Sequence, residues 1–122
     1  MNTKQFYRKM DAGDLTSKKC KPCEGGILPL NQDEIYNYLF GIDKNWKVNG
    51  NRTINKDFAF VNFKHTMDFV NRVAALAEEE GHHPVMHVYY ARVEIELWTH
   101  AIDGLSENDF ILAAKIDQLE TY

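Results

Sequence analysis

The sequence predicts a two-layer α+β domain: a four-stranded antiparallel sheet with helices packed on one face. Two pairs of strand-like segments, a long helix-like segment between them, and a well-capped helix signal near the C-terminal end carry that prediction. The order reads β-β-α-β-β-α, with an extra helix on the N-terminal side.

Bulk properties agree with a single domain. The chain has 122 residues, 44% hydrophobic and 26% charged, which suits one core and an ordinary soluble protein. Its net charge of −4, with no clustered Lys and Arg, argues against a direct nucleic-acid partner. The polar N-terminus lacks a secretory apolar core and no run is long enough to span a membrane, so the expectation is a cytoplasmic protein without membrane attachment. Residues 1–19 show no sustained apolar period and read as a tail or loosely docked segment, leaving 20–122 as the domain. Cys20-Lys21-Pro22-Cys23 has the spacing of a zinc half-site or a redox dithiol. No further cysteines complete a zinc site, and the flanking Lys-Lys and Gly-Gly are not the strand and helix of a redox motif. The pair reads as a reduced turn that docks the N-terminal segment.

Each element then follows from local chemistry. Asn31 can cap a first helix, with Glu34 at the capping-box position, Ile35, Tyr38 and Leu39 as its apolar side, and Gly41 to close it. Trp46-Lys47-Val48 and the run 52–61 read as strands joined at Asn49-Gly50, since both residues tolerate positive φ. A second helix begins at Asn62 or Phe63 and runs to Glu80, with Met67, Val70, Val73, Ala74 and Ala77 as one stripe. Met86 to Tyr90 and Val93 to Thr99 form the second strand pair; Val93, Ile95 and Leu97 share one face, and Glu94, Glu96 and Trp98 the other. Ser106 caps the last helix, Asp109 completes its capping box, and Leu105 with Phe110 forms a hydrophobic staple. Phe110, Ala113, Ile116 and Leu119 supply its buried side.

Chemistry concentrates where regular structure should stop. Gly81 is placed as the left-handed residue ending the second helix, and Pro84 biases His83 toward extended backbone, so His82 and His83 occupy a stiff corner. His100 stands at a strand exit. Imidazole can both donate and accept a proton near neutral pH, its ordinary pKa being about 6.5, so three histidines brought together suggest proton transfer. His87 reads as surface or interface.

The spaced set Glu78, His82-His83-Pro84, Tyr90, His100 and Asp109, with Thr99 before His100 and Gly104-Leu105-Ser106-Glu107 after it, resembles the signature of the pterin-4a-carbinolamine dehydratases. The resemblance extends from about Cys20 to Leu119. It implies the same two-layer fold, dimers or tetramers, and dehydration of a 4a-hydroxytetrahydropterin to the quinonoid dihydropterin without metal or cofactor. That pterin is the spent cofactor of aromatic amino acid hydroxylases, so a functional link to such an enzyme is also implied. By position, acid/base roles fall to His82 and His100 and an orienting role to His83. Glu78, Trp98 and Thr99 are the implied substrate-binding positions, with Glu78 alone of the three acids at 78–80 turned toward the pocket. Trp98 departs from the smaller residue common there in the family and could cover a ligand or form a subunit contact. For Asp109 the capping role is favoured.

Two other classes stay open. Family members also act as dimerisation partners of a transcription factor in animals, so a noncatalytic interaction module is one. A metal site of His82, His83 and His100 is the other; adjacent histidines on a Pro-fixed corner point apart, and no fourth acidic ligand is evident.

Overall fold

The computed structural model describes residues 10–22 and 25–119. Its elements are α1 (Ala12–Thr16), α2 (Gln32–Leu39), β1 (Lys47–Asn49), β2 (Thr53–Ala59), α3 (Phe63–Glu80), β3 (Val85–Val88), β4 (Arg92–Leu97), a 3-10 turn (His100–Ile102) and α4 (Glu107–Asp117). The four strands form one antiparallel sheet in the order β1-β2-β4-β3, the α+β architecture expected.

Alternation fixes which sheet face is covered. Val93, Ile95 and Leu97 are fully buried, while Arg92, Glu94 and Glu96 between them are only half-buried. Register places Phe58 beside Val93 and Ile54 beside Leu97 on the core side. Phe69 and Val73 of α3 and Phe110 of α4 close over them. The opposite face carries a polar ladder in which Asn49 Nδ2 donates to Asn55 Oδ1 at 2.6 Å and Asn55 Nδ2 to Glu94 Oε2 at 3.1 Å.

Lys56 is the exception on the core face, its side chain 12% exposed. Its ammonium meets Asp117 at 2.8 Å and Asp43 at 3.0 Å and lies 4.5 Å from the Phe58 ring centroid. Asp117 also accepts from Trp46 Nε1 at 3.0 Å. Burial would push the Asp43 carboxyl up, but Lys56 and the Asn45 N–H outweigh it and hold it below its ordinary value.

Most helix ends match their sequence signals. Asn31 accepts from Glu34 N–H at 2.9 Å and Glu34 returns the bond to Asn31 N–H at 2.9 Å. Asn62 accepts from His65 N–H at 2.9 Å, and Gly81 closes α3 in the left-handed conformation at φ 68°. The stripe of α3 is rotated from expectation, its buried positions being Thr66, Phe69, Val73, Ala77 and Glu80. In the first hairpin the positive-φ residues are Gly50 and Asn51, one step beyond the expected Asn49-Gly50, because Arg52 N–H closes the turn onto Asn49 C=O at 3.0 Å.

Helix α4 is buried on nearly every side, from Asn108 to Ala114 and again at Ile116, because α1, α2 and α3 all pack against it. Docking at the N-terminal side is therefore tighter than a loose segment: Leu15 of α1 is fully buried in the core. Residues 1–9 lie outside the described residues. Leu15 explains Gly41. That glycine has no positive φ; a Cβ there would lie 2.5 Å from Leu15 Cδ1, so the site requires close approach. Gly41→Ala should lower stability by about 1–3 kcal/mol, the usual cost of overpacking. A urea transition unchanged in midpoint would show that Leu15 is not held against the end of α2.

Candidate active site

Two chain reversals and one helix start build a cleft. Ala77 C=O accepts from Gly81 N–H at 2.9 Å and His82 N–H at 3.2 Å, turning the chain sharply off α3 ahead of Pro84. Beyond β4, Thr99 N–H donates to Gly104 C=O at 2.8 Å, enclosing the 3-10 turn that begins at His100. The N-terminal end of α4 lies against both. The resulting cleft, about 450 Å³, brings together His82, His83, Trp98, Thr99 and His100, along with Lys21.

Its innermost histidine is His82, whose side chain is 12% exposed. His82 Nε2 lies 2.6 Å from Asp109 Oδ1, and Asp109 is fully buried. Asp109 Oδ2 accepts from Thr99 Oγ1 at 2.8 Å and from Ser106 N–H at 3.0 Å. Since the Thr99 proton points to the carboxylate, Ser106 Oγ donates to Thr99 Oγ1 across 2.7 Å. A carboxylate so buried needs these partners, and the pairing commits His82 Nε2 to Asp109. Nδ1 is then the nitrogen available to a ligand, able to accept a proton or, once protonated, to give one.

Outer members are wetter. His83, 60% exposed, pairs through Nε2 with Glu78 Oε2. His100 is exposed and packs on the Trp98 indole, with ring centroids 4.2 Å apart. Thr99 lines the cleft, but its hydroxyl is occupied by Asp109 and Ser106.

One reading needs correction and another extension. Glu78 does not turn inward: it is exposed at the rim, and the acid that turns inward is Glu80. Glu80 lies three residues beyond buried Ala77 and shares its face, whereas Glu78 is a step of about 100° around the helix from Ala77. Glu80 meets Lys115 Nζ at 2.8 Å and accepts from Cys20 N–H at 2.9 Å. Burial would raise its carboxyl, yet these partners hold it below the ordinary value. Asp109 performs the favoured capping role with one oxygen and, beyond it, anchors His82 with the other. The signature already contained it; what a sequence cannot show is which remote donor reaches the second oxygen.

Cys20 is buried and free, and burial, helped by the nearby Glu80 carboxylate, pushes its thiol up to about 12. It stays protonated at neutral pH and is a poor nucleophile or ligand. Cys23 lies outside the described residues. Among the described residues no group of three or more His, Cys, Asp or Glu could hold a metal ion, and no helix is long and apolar enough to cross a membrane.

Asp109→Asn keeps the volume but removes the anion from a site of three donors. It should cost about 1.5–3 kcal/mol, the scale of a hydrogen bond to a charged group. Equal urea midpoints for variant and parent would show that the carboxylate does not hold this corner.

Comparison with known proteins supplies a family. The model of the family described as pterin 4 alpha carbinolamine dehydratase matches residues 28–119. Two bacterial relatives bear pterin-4-alpha-carbinolamine dehydratase as a provisional name. The one from Nitrosomonas eutropha is 51% identical over 106 residues, covering 87% of this chain and 93% of its own. The one from Rickettsia canadensis is 48% identical over 103 residues, covering 84% and 94%. A solved transcriptional coactivator/pterin dehydratase from Brucella melitensis superposes with a TM-score of 0.67 at 31% identity, covering 72% of this chain and 94% of that one. A pterin dehydratase-like protein described as a RuBisCO assembly factor in the alpha-carboxysome gives 0.52 at 29%, covering 60% and 86%.

Proposed function

The chain belongs to the pterin 4 alpha carbinolamine dehydratase family, and from that premise we propose that it dehydrates a 4a-hydroxytetrahydropterin to the quinonoid dihydropterin and water. The observation that carries this reading is the Asp109-anchored His82 in a cleft shared with His83 and His100. The reaction breaks the bond from ring carbon to hydroxyl and removes a proton from a neighbouring ring nitrogen. Hydroxide leaves poorly, so an imidazolium protonates it as the bond breaks and it departs as water. A neutral imidazole accepts the nitrogen's proton. His82 and His100 carry these two roles, without assignment of which is acid and which base.

Around them, His83 orients the pterin, with Glu78 fixing its imidazole through the rim ion pair. Trp98 offers an aromatic face beside His100 for a flat bicyclic ring. Thr99 acts through Asp109 as a positioning residue. The natural supplier of substrate would be an aromatic amino acid hydroxylase, which leaves its pterin cofactor in this hydroxylated state.

Self-association belongs to the same reading. Edge strand β3 leaves one side of its backbone unpaired by the sheet, and beside it Val88, Tyr89 and Tyr90 are exposed, with Tyr90 stacked on exposed Phe63. A homodimer or homotetramer would cover them. Light scattering should give a mass of two or four chains; a monomer at micromolar concentration rejects this part.

The direct assay generates the carbinolamine with a hydroxylase and follows its absorbance decay with and without this protein. Acceleration over the spontaneous rate, undiminished by a chelator, is expected. His82→Ala and His100→Ala should each lower kcat by roughly 10² to 10⁴, whereas His83→Ala should chiefly raise KM, as loss of uniform binding does. Each variant is first checked for fold by circular dichroism. A second reading, a noncatalytic interaction module, is favoured by the likeness to the RuBisCO assembly factor. It requires decay at the spontaneous rate from a correctly folded protein, and that result would displace the dehydratase.

A further inference from the structure

We propose that Lys21 is a substrate-binding residue of the histidine cleft, presenting its ammonium to the lactam oxygen of the pterin; this rests on the dehydratase reading above. Lys21 stands outside the spaced signature, on the N-terminal segment, yet it lines the same cleft as His82, His83 and His100.

Its backbone is clamped. Lys21 N–H donates to Asn108 Oδ1 at 2.9 Å, and Asn108 Nδ2 returns a bond to Lys21 C=O at 2.6 Å. One residue earlier, Cys20 N–H donates to Glu80 Oε1 at 2.9 Å, and Lys19 Nζ reaches Glu79 C=O at 2.7 Å. The strap 19–21 is thus tied to the last turn of α3 and the first turn of α4. Those are the two helix ends that fix His82 and Asp109, so Lys21 keeps register with the innermost histidine.

The Lys21 charge also helps to hold the Glu107 carboxyl below its ordinary value, but no ion pair among the described residues commits the ammonium there. Glu80 is held by Lys115 at 2.8 Å. Glu107, on the other flank of the strap, already receives Lys18 at 3.0 Å and the Tyr38 hydroxyl at 2.7 Å through one oxygen. Glu78 is paired with His83. Among the described residues no carboxylate pairs with Lys21. The remaining walls offer imidazoles and an indole but no other lysine or arginine, while the bicyclic pterin presents one strongly accepting lactam oxygen. A flexible ammonium at the rim is the complementary donor, and a charge-assisted bond of this kind is worth roughly a tenfold change in affinity.

The test uses main-chain anchoring to advantage, since both bonds to Asn108 survive replacement of the side chain. Binding of 7,8-dihydrobiopterin, which has the lactam but no 4a-hydroxyl, is titrated by fluorescence against wild type, Lys21→Met and Lys21→Arg. Lys21→Met should weaken binding roughly tenfold and raise KM similarly, with kcat kept within about threefold, and Lys21→Arg should restore most of the affinity. Equal affinity of Lys21→Met and wild type overturns the role of Lys21 and leaves the dehydratase reading standing. Absence of binding by wild type itself overturns both. Circular dichroism and urea midpoints of the variants guard against a misfolded strap, and a Lys21→Met loss that tracks a lowered midpoint would also count against a direct contact.

Discussion

The structure of the cleft depends on one buried anion. Asp109 has no solvent to stabilise its charge, so its two oxygens must find partners within the fold, and they draw these from three element ends. Ser106 N–H comes from the start of α4, Thr99 from the exit of β4, and His82 from the exit of α3. Satisfying one carboxylate therefore fixes the exit of β4 and the start of α4 against the end of α3, which is remote from both in sequence. Breaking such a buried pair by removing one partner is far more costly than its net contribution would suggest. This is why His82 can be held still at a place where helix and strand both end.

Backbone punctuation makes that convergence affordable in conformational terms. Gly81 takes the left-handed conformation that lets the chain leave α3 within a single residue, and Pro84 keeps it extended afterwards. Three carboxylates in the last turn of α3 face the negative end of the helix dipole, an unfavourable placement in isolation. Cations answer it: Lys115 pairs with Glu80, and Lys19 donates to the Glu79 carbonyl. The same contacts fasten the N-terminal strap beside the cleft. Helix termination, charge compensation and strap docking thus act at one place.

What could be read from the sequence was what is decided locally. Asn31 with Glu34 and Ser106 with Asp109 announce helix starts because each pair satisfies backbone groups three residues away. Gly81 announces a helix end for the same reason, and alternation in Val93, Ile95 and Leu97 identifies the buried sheet face. Readings that needed tertiary information went astray. Phe69 faces the core while Glu78 faces water because of where the sheet and α4 lie, not because of anything in the helix period alone. Leu15 lies in a stretch without a sustained apolar period, and the glycine opposite it at position 41 makes room for it. Lys21 gave no signal at all, since its place is fixed by main-chain bonds to a distant amide.

The gradient of exposure across the three histidines bears on the cycle as well as on the step. In the proposed dehydration one imidazole loses a proton and another gains one, so the pair ends each turnover with its protonation reversed. His82 is nearly enclosed, with one nitrogen committed to Asp109, and exchanges with solvent only through the ligand side of its ring. His100, by contrast, is exposed above the Trp98 indole. On that proposal, His82 Nδ1 would regain contact with water once product leaves, whereas the exposed His100 would stay open to water throughout. No internal proton relay is then needed to reset the site. The fold has to hold only one histidine rigidly, and the single buried carboxylate is placed against that one.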